Sequence, residues 1–119
     1  MRRAVIAATA FTVACSAPPS PSVSADVSCV PETHALRQLC TVALTDRATG
    51  QPIEGVTVML SADMPSMPLA HSVRPVSAEA VGPGMYSGTL DLEMRGRWVI
   101  AVRISGPAND QLTHTLNIN

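Results

Sequence analysis

Lysine is missing from all 119 residues, and the positive charge rests on eight arginines. Charged residues make up only 14% of the chain, and no basic run occurs anywhere in it. A nucleic-acid surface needs clustered cations and aromatic platforms for the bases, so that class of partner is excluded. Aromatics are equally scarce, with Phe11, Tyr86 and Trp98 forming the whole set. That is too few rings for a carbohydrate-binding surface. No apolar run approaches the roughly 20 residues that a membrane-spanning helix requires. The chain also has no G-x-S-x-G, H-E-x-x-H or C-x-x-C signature. Asp91 and Glu93 are neighbours on an outward strand face, a solvated pair without the burial that tunes a general acid. The chain therefore reads as a non-enzyme.

At the N-terminus, Arg2 and Arg3 precede an eleven-residue run from Ala4 to Ala14. This is the pattern of an export signal rather than a permanent anchor. Thr12-Val13-Ala14-Cys15 resembles a bacterial lipobox, with Thr12 where leucine is usual. It predicts cleavage before Cys15, lipidation of that residue and attachment to the cell envelope by lipid alone. Val23-Ser24-Ala25 offers a second processing site, with cleavage before Asp26 and a periplasmic or secreted product. The expected organisation is a signal peptide over 1–14, a Pro/Ser-rich tether over 15–26 and one domain over 27–119. Without the signal, six arginines face nine acidic residues, a formal charge of −3. Cys15 is consumed or removed on either route. That leaves Cys29 and Cys40 as an even pair, expected to form a disulfide in an oxidising compartment.

Alternation with period two recurs through the remaining sequence and predicts strands. Leu36, Cys40, Val42 and Leu44 share one face; Val56, Val58 and Leu60 share the next, with Thr57, Met59 and Ser61 opposite. A weaker run over 72–80 contains Pro75, which predicts an edge strand. Tyr86, Leu90, Leu92 and Met94 then face one way, followed by Trp98, Ile100, Val102 and Ile104, the most apolar face in the chain. Leu112, His114, Leu116 and Ile118 close the pattern. Gly/Pro turns at intervals of about ten residues make this an all-β, immunoglobulin-like sandwich of about seven strands. Trp98 is its expected core anchor, and Tyr86 is placed to tie its hydroxyl back to a loop. The one helical alternative lies over 31–39.

Between the second and third of these runs stands Asp63-Met64-Pro65-Ser66-Met67-Pro68-Leu69-Ala70-His71. Two prolines make it a solvent-facing loop. Thioether and imidazole donors select Cu(I) over harder cations, so Met64, Met67 and His71 form a candidate trigonal site. Asp63, Met59 and Met85 are further possible donors. The competing reading has Met64 and Met67 capping the open end of the sandwich as flexible fillers, with His71 on the surface. His114 reads as a hydrogen-bonded edge or core residue, His34 as solvated and Met94 as core.

Four segments in order resemble the YtkA-like/FixH-like family of small exported bacterial domains. They are Asp46 to Gly55 (D-x-x-T-G-x-P-I-x-G) leading into Val56-Thr57-Val58, the Met-Pro loop ending at His71, Gly84-Met85-Tyr86-Ser87-Gly88, and Met94-Arg95-Gly96-Arg97-Trp98. The resemblance covers roughly Cys40 to Ile104. It implies an immunoglobulin-like sandwich and an association with copper handling or respiratory-oxidase assembly, without enzymatic activity. It also implies a copper-accepting envelope protein or a respiratory oxidase as partner. This chain carries a sparse version of the loop, with Leu69 where a further methionine could stand and a single histidine after it. The other class of reading is an interaction module, in which the same loop offers soft apolar side chains to a partner.

Overall fold

Seven antiparallel strands make up the structure, a computed structural model that describes residues 22–34, 36–67 and 72–119. They are β1 (Val23–Pro31), β2 (Arg37–Asp46), β3 (Thr57–Asp63), β4 (Ser72–Gly82), β5 (Met85–Asp91), β6 (Gly96–Ser105) and β7 (Asp110–Ile118). Their lateral order is β1-β2-β5-β4-β3-β6-β7. Lettered A to G in chain order, β1-β2-β5-β4 is the ABED sheet of a constant-type immunoglobulin sandwich and β3-β6-β7 its CFG sheet. Strand β4 belongs to both. Its first half pairs with β3, from Asp63↔Ser72 to Val58↔Ala78, and its second half pairs with β5, from Glu79↔Ser87 to Gly82↔Met85. The two sheets are thereby continuous along one side, and the fold is close to a barrel.

The core follows from the alternation. Cys40, Val42 and Leu44 on β2, Val58, Leu60 and Ala62 on β3, Tyr86 and Leu90 on β5, and Trp98, Ile100, Val102 and Ile104 on β6 are all buried. Trp98 is fully buried and donates its indole Nε1–H to the Met94 carbonyl at 2.9 Å. This satisfies the one polar atom that a tryptophan brings into a core. Cys29 and Cys40 stand directly opposite each other on β1 and β2 and form the expected disulfide.

One boundary is corrected and one alternative is set aside. Strand β1 begins at Val23, so Val23 to Asp26, read as the end of a tether, are strand. Val23 is part of the core, and its carbonyl accepts a hydrogen bond from Arg47 Nη2 at 3.3 Å. Pro31 and Leu39 lie in β1 and β2, so the helical alternative over 31–39 is not taken up. Pro75 stands in the half of β4 that pairs with β3 alone, so the edge expected at this proline is present, although the strand as a whole lies between β3 and β5. The proline is accommodated by a bulge in which Arg74 and Pro75 together oppose Ser61, so no ladder hydrogen bond needs its missing N–H.

At the end of the sandwich where β4 meets β5, Tyr86 is buried and donates its hydroxyl to the Ile53 carbonyl at 3.0 Å. The tie expected of this tyrosine is present, and it reaches the connection between β2 and β3. The same connection packs against Gly84, whose φ of +67° suits glycine alone. A Cβ there would lie 2.7 Å from both the Leu44 oxygen and the Pro52 Cβ. Gly84→Ala is therefore expected to destabilise by about 2 kcal/mol or more, from left-handed strain plus overpacking. Tyr86→Phe should cost about 1 kcal/mol, the net value of one hydrogen bond. Urea unfolding of the two variants beside the parent measures both.

Candidate metal centre

The connection from β3 to β4 spans 64–71, and 68–71 lie outside the described residues. It opens with a β-turn in which Met67 N–H donates to the Met64 carbonyl at 3.0 Å. Pro65 occupies the second turn position, where its fixed φ is favoured. The turn sets two thioether side chains at its two ends and gives them opposite surroundings. Met67 is 39% exposed, whereas Met64 is 4% exposed.

Burial of Met64 follows from the strand before it. Val58, Leu60 and Ala62 point inward along β3, and Met64 takes the next inward position before the chain turns. Its methyl group lies over Gly96, where an added Cβ would fall 2.8 Å from Met64 Cε. Gly96, with φ at +136°, opens β6 two residues before Trp98. Half-buried Met94 packs against the same core and supplies the carbonyl that holds the Trp98 indole. Met64 therefore closes this end of the core, as the capping reading expected. The expectation of a wholly solvent-facing loop fails at this residue and holds for Pro65, Ser66 and Met67, which are exposed.

The other suggested donors are dispersed. Met85 begins β5, at the opposite end of the sandwich from the Met-Pro turn, and lines a hollow of about 250 Å³ with Asp26, Thr41 and Ala43. Met59 faces outward on β3, opposite Arg103 and away from the inward face that Met64 continues. Asp63 is exposed beside the turn. His71, the third candidate donor, lies outside the described residues. Exposed His34 lies in the β1–β2 connection, at the same end of the sandwich as the Met-Pro turn. That connection is tied to the segment after β5 by a hydrogen bond from Leu92 N–H to the Leu36 carbonyl at 2.7 Å. His114 sits half-buried on β7 opposite Ile100. Among the described residues, no three His, Cys, Asp or Glu side chains group as a metal cluster.

The sequence held a signal for the burial of Met64, because extending the Val58/Leu60 alternation by four residues reaches it. The contrast between the two methionines gives a direct test. Met64→Ala should destabilise by about 2–4 kcal/mol as a core truncation. Met67→Ala should stay within about 0.5 kcal/mol, as expected for a surface change. Chemical denaturation of the two single variants checks the difference.

Comparison with curated proteins and with solved structures found no match. A family model described as YtkA-like matches residues 20–103, which takes in β1 through most of β6 and the whole Met-Pro connection. On that match, the chain belongs to the YtkA-like family.

Proposed function

We propose that this domain binds Cu(I) in the bacterial cell envelope and passes it on, without catalysing a reaction. The observation that carries the reading is the Met64-Pro65-Ser66-Met67 turn. One hydrogen bond and one proline hold two thioethers at a single end of the sandwich, with His71 four residues beyond Met67 in sequence. Thioether and imidazole are the donor types suited to a soft monovalent ion. Met67 is exposed and available from the outset. Met64 lies beneath the turn, so its sulfur joins only when the turn lifts from Gly96. The proline-restricted backbone lowers the ordering cost of bringing the donors together. A site of this kind binds with modest affinity and releases readily, which suits delivery to a copper-accepting envelope protein or a respiratory oxidase.

Export and lipid anchoring belong to the same proposal. Cleavage before Cys15 leaves β1 whole, whereas cleavage before Asp26 removes the first three residues of β1, including buried Val23. The extent of β1 thus supports the lipobox route, with Cys15 as the acylated N-terminus and a shortened tether ahead of Val23. The interaction-module reading is favoured by one feature, the exposure of Met67 over a turn whose other thioether is already committed to the core.

Titration of the purified protein with Cu(I) against a competing chelator separates the two. Met67→Leu keeps apolar volume and removes a donor, so it should weaken binding about tenfold or more, equivalent to about 1.4 kcal/mol. Met64→Leu should weaken binding less. Absence of any Cu(I) binding tighter than micromolar would sink the copper reading and leave the interaction module.

A further inference from the structure

Among the described residues, β7 is a terminal strand of the sheet order, and no other strand takes up its outer edge. It pairs with β6 in an unbroken register from Ile104↔Asp110 to Gly96↔Ile118, and it lies last in the lateral order. Among the described residues, no backbone hydrogen bond joins it to β1. Where the C-terminal ends of those two strands approach each other lies an open hollow of about 240 Å³, lined in part by Cys29, Gln38, Leu116 and Ile118.

Exposed edges are usually blunted by lysine, proline or a bulge. Strand β7 has none of these, and its one charged residue, Asp110, stands at its start. Its inward side chains are also incompletely covered. Leu112, His114 and Leu116 are half-buried, while their cross-strand partners Val102, Ile100 and Trp98 on β6 are fully buried. The apolar core is therefore open along this edge.

The sequence of the strand identifies what fits there. Leu112-Thr113-His114-Thr115-Leu116 reads the same in both directions, flanked by the amides Gln111 and Asn117. Strand β1 has no such symmetry and ends in Pro31. An antiparallel pair of identical strands with a two-fold axis at His114 sets Thr113 against Thr115 of the second copy. It also sets Leu112 against Leu116, Gln111 against Asn117 and Asp110 against Ile118, so no like charges meet. Threonine pairs and aliphatic pairs are favourable cross-strand neighbours, and each Leu pair covers apolar surface that the single chain leaves half-exposed.

We infer that β7 is a self-association edge, through which two copies of this chain join sheet to sheet in an antiparallel pairing centred on His114. The interface is isologous, as a two-fold dimer requires, and small, which places it in the weak and reversible class. This inference is independent of the copper reading.

The register makes the test specific, because Thr113 and Thr115 are exposed and each faces the other across the axis. The Thr113→Lys/Thr115→Lys variant sets ammonium against ammonium twice, whereas Thr113→Lys/Thr115→Glu sets opposite charges at the same two places. Sedimentation equilibrium from micromolar to millimolar concentration should show a concentration-dependent dimer for the parent. The first variant should be monomeric throughout, and the second should dimerise. Thermal unfolding confirms that both variants are folded. Amide hydrogen exchange on the unmodified protein supplies a second readout, with protection of β7 amides rising with concentration and that of β1 amides unchanged. A monomeric parent, equal behaviour of the two variants, or protection that rises on β1 instead would each overturn the inference.

Discussion

The sandwich depends on one strand serving two sheets. Strand β4 pairs with β3 along its first half and with β5 along its second, so both sheets bend around a single backbone. A strand with this duty must break its register, and it does so twice. Arg74 and Pro75 share one partner opposite β3, and a second irregularity falls between Ala80 and Gly82 opposite β5. Bulges increase local twist and bend the bulged strand, the distortion that a corner between sheets requires. The Met-Pro turn lies at the other end of β4 from this corner, directly after Asp63, which pairs with Ser72.

That placement gives the two methionines different work. Because β3 delivers Met64 at an inward position, its side chain fills the core end over Gly96, beside the Trp98–Met94 hydrogen bond. Because the turn then reverses the chain, Met67 emerges on the surface three residues later. Methionine suits both places, since its unbranched, polarizable side chain fills irregular gaps and also serves as a soft donor. A glycine at position 96 allows the overlap, as a larger residue there would displace the Met64 methyl. Core closure by Met64 and exposure of Met67 are thus consequences of one four-residue turn.

The fold was largely legible in the chain. The alternating faces of β2, β3, β5, β6 and β7 were plain because each buries large apolar side chains on one side only, as at Trp98, Ile100, Val102 and Ile104. Strand β1 was hidden because Ala25, Val27 and Cys29 are small or only half-buried, and because its start adjoins a Pro/Ser-rich stretch that reads as linker. Proline at 75 kept its usual meaning of an edge, because this half of β4 pairs on one side only; the bulge beside it was not legible, since nothing local in the sequence reveals a bulge formed against a distant partner. The candidate site was legible as a set of residue types. It was not legible as an arrangement, because the neighbouring prolines outweighed the period-two pattern that carries Met64 inward.

Family membership and fold place this chain among small β-sandwich domains of the YtkA-like kind, and the proposed Cu(I) site rests on the donor types in its Met-Pro connection. X-ray absorption at the copper edge of the Cu(I)-loaded protein tests that claim most directly. The expected result is a low-coordinate Cu(I) spectrum with thioether sulfur scattering, from Met67 and, on lifting of the turn, Met64, together with the multiple-scattering pattern of imidazole. A copper environment of nitrogen and oxygen alone, with no sulfur scatterer, would contradict it.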